Sequence, residues 1–101
     1  MPKIYEYFGI IFFFYANEHT PIHVHARKGE YESKIEFDYS NGKIKDVRFK
    51  KVKGLKEIPV TERKEIEKFI LKYHEGIVFK WTEFFVMNKK VKSEKITKKV
   101  K

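Results

Sequence analysis

Ile22-His23-Val24-His25-Ala26-Arg27-Lys28-Gly29-Glu30-Tyr31-Glu32-Ser33-Lys34-Ile35-Glu36-Phe37 decides the fold, because apolar and polar residues alternate on both sides of a glycine. Alternation with a period of two is the signature of a strand with two unlike faces. Ile22, Val24 and Ala26 share one face, while His23, His25 and Arg27 share the other. A two-residue turn at Lys28-Gly29 is expected to pair Ala26 with Tyr31, Val24 with Ser33 and Ile22 with Ile35, which gathers the apolar side chains on one side. On the opposite side that register sets His25 against Glu32 and His23 against Lys34.

Outward from this hairpin, Phe8 to Ala16 is almost continuously apolar and rich in aromatic and β-branched residues. It reads as a strand covered on both faces, central in the sheet, and it is too short to cross a bilayer. Asn17-Glu18-His19-Thr20-Pro21 interrupts it as a loop, since Pro21 has no amide donor and steers Thr20 away from helical angles. On the other side, Asn41-Gly42 is a turn signal. A hairpin with a bulge there puts Val47 and Phe49 on the face of Phe37, where burial of each large side chain is worth roughly 1.5 to 3 kcal/mol. From Thr61, the expected N-cap, the period becomes 3.6, and Ile66, Phe69, Ile70, Tyr73, Ile77, Trp81, Phe84 and Phe85 form one stripe. The sequence therefore predicts an α+β fold: an antiparallel sheet of about four strands (8–16, 22–28, 30–39, 43–50) followed by a helix over 61–87, continuous or bent at Gly76, on one sheet face. Phe79 lies off the stripe and marks either the bend or a partner surface.

With 101 residues the chain is expected to form one domain over 1–87, followed by a Lys-rich tail over 88–101 that is expected to be flexible. The net charge is +9, and the tail alone, with seven Lys and one Glu, carries +6 of it. Such a tail either binds phosphate through counterion release or serves as a solvated end. There is no cysteine, so disulfides and thiolate metal sites are excluded and a cytoplasmic setting is expected. No apolar run of membrane-spanning length is present, and the first residues lack the pattern of a secretory leader, so no membrane partner is expected.

Three of the four histidines fall within seven residues, at His19, His23 and His25. His23 and His25 are two apart on one strand, about 7 Å between α-carbons, and Glu32 lies across from them. Two histidines and a carboxylate suit a hydrolytic metal ion, with His23, His25 and Glu32 as the alternative ligand set. Against this, the expected register points the Lys34 ammonium into the cluster, and the preferred expectation is no metal and no cofactor. As a site acting on RNA the set is more coherent. His19, His23, His25 and Glu32 would exchange protons near neutral pH, while Arg27 and Lys34, with Lys89, Lys90 and Lys92 from the tail, would hold phosphate. His74 flanks the helical stripe and reads as a residue capping the core edge. A non-enzymatic interaction module, using an open sheet edge or the aromatic helix, is the remaining alternative.

The same residues resemble a family of bacterial proteins, the domain of unknown function 4160 (DUF4160). The resemblance runs from Phe8-Gly9-Ile10-Ile11 through Glu18-His19, Pro21 and His23-Val24-His25 to Gly29-Glu30-Tyr31. It continues at His74-Glu75-Gly76-Ile77 to Trp81 and at Ser93-Glu94-Lys95-Ile96. Two positions depart from the family pattern: Pro21-Ile22 stands where two prolines are usual, and Ile58-Pro59-Val60-Thr61 replaces a Leu-Pro-x-Arg helix entry, leaving Arg63 displaced. The resemblance implies a small stand-alone bacterial protein of the kind often encoded beside another small protein in a toxin-antitoxin-like arrangement; with the polar face read above, the expected partner is RNA or a cognate antitoxin-like protein. It implies no established reaction.

Overall fold

The computed structural model describes residues 2–16 and 22–101. Among these residues six strands form a single sheet: β1 (Lys3–Tyr7), β2 (Ile10–Phe13), β3 (His23–Lys28), β4 (Tyr31–Ser40), β5 (Lys43–Lys51) and β6 (Glu94–Ile96). Helix α1 (Val60–Trp81) precedes β6 and runs into a π-helical turn, Thr82–Val86. The spatial order is β5-β4-β3-β2-β1-β6, antiparallel throughout except for the parallel β1/β6 pair. The expected α+β fold is therefore present, with six strands instead of about four.

The first added strand, β1, precedes the apolar run, and the turn that joins it to β2 was hidden at the start of that run. Phe8 and Gly9 both have positive φ, 45° and 83°, which is the backbone of a type I′ hairpin turn. Hydropathy sees no break there because the turn uses a phenylalanine. Residues 8–16 are thus not one strand: β2 covers only Ile10–Phe13, and it lies in the middle of the sheet, as expected, beside β3. The second added strand, β6, comes from the Lys-rich segment and pairs Tyr5, Glu6 and Tyr7 with Glu94, Lys95 and Ile96.

The β3/β4 hairpin keeps the expected faces but not the expected partners. Val24 pairs with Ile35, Ala26 with Ser33, His25 with Lys34, His23 with Glu36 and Arg27 with Glu32. The turn is Gly29-Glu30, with Gly29 at φ 61°, since a Gly-x turn places its glycine first, where positive φ is needed. Moving the turn by one residue shifts the register by two, so every side chain stays on its face. At the next hairpin Asn41 and Gly42, at φ 54° and 75°, form a two-residue turn, and the bulge lies further along, at Lys45, between the pairs Asp38–Asp46 and Tyr39–Ile44. A tight turn with a displaced bulge brings Ile44, Val47 and Phe49 all against the core.

Helix α1 starts one residue before the expected cap. Pro59 is the N-cap without a side-chain hydrogen bond, and Arg63 Nε donates to the Ile58 carbonyl at 3.2 Å. The one break in helical geometry is at Tyr73 (φ −104°, ψ 15°), not at Gly76. Gly76 answers a different need, because a β-carbon there would collide with the Tyr5 hydroxyl and lie 3.3 Å from Tyr5 Cζ. The helix covers one sheet face through Phe69, whose ring meets Phe12 at 4.6 Å in a stacked pair, Tyr7 at 4.7 Å and Tyr5 at 5.5 Å. Among the described residues no helix is long and apolar enough to cross a membrane.

Candidate functional site

The second face of the sheet is the chemically distinctive one. Antiparallel pairing of β2 with β3 puts Ile11 beside Arg27 and Phe13 beside His25, and alternation beyond β2 turns Tyr15 to the same side. The His25 ring stacks on Phe13 at 5.4 Å and meets the Tyr15 ring edge-on at 4.4 Å. His23 stands 5.5 Å from His25 at nearly a right angle and 6.1 Å from Phe85. A sheet face carrying histidine, lysine, arginine and glutamate ordinarily faces water, yet His23, His25 and Glu32 are only 0%, 1% and 3% exposed.

Glu32 joins the cluster diagonally. Its cross-strand partner is Arg27, and its carboxylate nevertheless reaches His25, with Oε2 3.4 Å from Nδ1. The same oxygen accepts a 2.9 Å hydrogen bond from the Tyr15 hydroxyl. The Glu32 amide donates to the Lys56 carbonyl at 2.9 Å, which fixes the residue from behind. Tyr15, Glu32 and His25 therefore lie in sequence from hydroxyl to carboxylate to imidazole, the first step a hydrogen bond from the half-buried tyrosine and the second a 3.4 Å contact between two buried groups. An ionised carboxylate at this depth is strongly disfavoured without such partners.

Other expected members fall elsewhere. Lys34, expected opposite His23, is opposite His25, and its ammonium lies 3.5 Å from Glu36. Glu36 is shared further with Arg48 at 3.9 Å and Lys50 at 3.8 Å. The Arg27 guanidinium lies 5.4 Å over the Phe13 ring. His19 lies outside the described residues. Among the described residues no three His, Asp or Glu side chains are grouped as metal ligands. His74 sits at the helix, its Nδ1 2.8 Å from the Leu71 carbonyl oxygen, away from the cluster.

A groove of about 300 Å³ lies at the end of the sheet near His23, lined by Ala16, Phe84, Phe85, Asn88, Lys89 and Lys90. It exists because the helix ends abruptly. Asn88 adopts φ 54°, a left-handed stop that asparagine tolerates, and the Lys89 amide donates to the Glu83 carbonyl at 2.8 Å. Phe84 and Phe85 pack on the buried Phe14 at 5.9 and 5.4 Å. Of the tail lysines singled out from sequence, Lys89 and Lys90 line this groove, whereas Lys92 offers its carbonyl to Lys80.

Sequence reasoning missed Tyr15, Phe84 and Phe85 as site residues. For Tyr15 the signal was its odd-numbered place with Ile11 and Phe13, which puts it on the histidine face once β2 pairs with β3. The two phenylalanines belong to the expected core stripe and do pack against the core through Phe14, and from the π-helical turn they also line the groove.

Fold and site together define a small α+β domain with a basic, ring-lined groove beside a buried histidine–glutamate–tyrosine cluster. Residues 9–82 match the family described as Domain of unknown function (DUF4160), and the chain belongs to that family. No curated protein and no solved structure matches the chain.

Proposed function

We propose that the protein binds single-stranded RNA, with the groove between Ala16 and Lys90 as the seat of a nucleotide. The observation that carries this reading is the composition of the groove, two aromatic rings and two lysines within one concavity of about 300 Å³. Rings stack on bases and ammonium groups meet phosphate, which is how sequence-tolerant single-strand binding is commonly built. The chain's charge of +9 supports the same reading. Binding is favoured over cleavage because His23, His25 and Glu32 lie beneath the surface, and of the three His23 meets the groove, through its ring contact with Phe85.

Fluorescence anisotropy with a labelled single-stranded RNA, measured against salt concentration, tests the reading. Affinity is expected to fall with salt, and Lys89→Ala with Lys90→Ala is expected to reduce the log–log slope by roughly 0.7 per lysine. Phe84→Ala is expected to weaken binding with the slope unchanged. Absence of binding at low salt, or binding indifferent to all three substitutions, would overturn it.

A further inference from the structure

A second groove, of about 430 Å³, lies against the same helix and is lined by Lys72, Tyr73, Lys98, Lys99, Val100 and Lys101. Four of its six residues are lysines, and none of the four is paired with a carboxylate among the described residues. Its walls are fixed in place. Val100 is 8% exposed, and its amide donates to Tyr7 Oη at 3.0 Å. The Lys99 ammonium rests 4.6 Å over the Phe8 ring, and the Tyr73 ring stacks on Phe69 at 4.6 Å.

The chain between the two grooves is itself basic and anchored. Lys80, only 7% exposed, donates to the Lys92 carbonyl at 2.7 Å and pairs with Glu94 at 3.1 Å. Glu94 is the sole acid of residues 88–101, so this contact takes up the one negative charge that would offset their lysines. β6 then carries Lys95, whose side chain is 73% exposed, along the β1 edge, where Glu6 is the facing carboxylate.

We infer that residues 89–101 form an ordered cationic track along which one RNA strand runs from the Phe84–Lys90 groove to a phosphate-binding groove at Lys72, Lys98, Lys99 and Lys101. This rests on the RNA-binding reading and adds a second point of attachment to it. Tyr73 and Phe85 are twelve residues apart on the helical segment, roughly 18 Å at 1.5 Å per residue. A strand advancing at least about 3.4 Å per nucleotide covers that span with about six nucleotides or fewer.

The test compares the full chain with two variants, Lys72→Ala and the combination Lys98→Ala, Lys99→Ala and Lys101→Ala. Each is titrated with RNA oligomers of about three and about twelve nucleotides, lengths below and above the expected site span. Retained melting temperature confirms the fold, and Lys72→Ala leaves the C-terminal segment intact if the combined variant melts early. The expected result is a loss of affinity on the order of tenfold for the long oligomer in the combined variant, with a shallower salt slope and the short oligomer unaffected. Lys72→Ala is expected to produce a smaller loss of the same kind. If long-oligomer affinity is unchanged in both variants, or both oligomers weaken equally, the track is overturned while the first groove stands. If neither oligomer binds the unmodified protein, the RNA-binding reading itself falls.

Discussion

The two faces of the central strands are both buried, and by opposite chemistries. On the helix side, Phe12, Tyr5 and Tyr7 close around Phe69, an arrangement in which the buried rings stabilise the fold chiefly by the apolar area they remove from water. On the other side the same strands bury His23, His25 and Glu32, groups whose removal from water costs stability unless each finds a partner. The first face is what holds the protein together. The second is tolerated by the fold because its polar groups have neighbours, Tyr15 for Glu32 and Glu32 for His25.

That asymmetry breaks most readily at Phe69. Phe69→Ala removes the ring on which four aromatic neighbours converge and is expected to cost about 3 to 5 kcal/mol in denaturant unfolding. A loss below about 1 kcal/mol, the size of one solvent-accessible substitution, would mean that α1 is not the principal cover of the sheet. Next in size is Gly76→Ala. A methyl group usually favours a helix by about 1 kcal/mol over glycine, but here it meets the Tyr5 ring, and overpacking of about 1 to 3 kcal/mol is expected to win. Adding Tyr5→Phe should recover part of that loss, since the hydroxyl is the nearest obstacle. Full stability in Gly76→Ala alone would show that helix and sheet are not so closely apposed.

How much of this was legible in the sequence differs between the faces. The alternation over residues 22–37 sorted every side chain to its correct side, because a register error of two residues preserves parity. It did not identify cross-strand partners: Lys28-Gly29 and Gly29-Glu30 both contain the necessary glycine, and only the requirement for positive φ at the first turn position separates them. The Phe8-Gly9 turn was illegible because phenylalanine at positive φ is rare, and with it went β1. The candidate site was readable in its histidines and Glu32 but not in its depth. Burial on the second face arises from rings brought in by Tyr15 and the π-helical turn, contacts between segments far apart in the chain. The anchoring of β6 by Lys80 was equally hidden, since a lysine at the margin of a helical stripe ordinarily points to water.

On the second face the corresponding perturbation is Tyr15→Phe. It deletes the 2.9 Å hydrogen bond to Glu32 while keeping the ring against His25, so about 1 kcal/mol of stability should be lost. The sharper readout is the placing of the His25 ring. Without the tyrosine hydroxyl, Glu32 Oε2 loses its 2.9 Å partner and is expected to settle closer to His25 Nδ1, observable at fixed pH as a change in the His25 ring proton resonances. Unchanged ring resonances and an unchanged unfolding midpoint would show that hydroxyl, carboxylate and imidazole are neighbours without coupling.

The smallest effect at neutral pH is on the helix face, at the hydroxyl of Tyr5. Burial, with the nearby charge of Glu94 and the Tyr73 hydroxyl, pushes the Tyr5 phenol from its ordinary 10.0 up to about 12. The folded protein thus resists ionisation that the unfolded chain accepts. The stability this contributes is complete below pH 10 and is lost as pH rises from 10 through about 12. Lysines titrate in the same range, so the measurement is the difference between the unmodified protein and Tyr5→Phe, in which the lysine contribution is shared. The two stability curves should run parallel up to about pH 9 and then approach or cross as the unmodified protein alone loses this contribution. Curves that remain parallel to about pH 12 would place the hydroxyl in a polar setting, and the contrast between a ring-built face and a proton-carrying face would lose one of its supports.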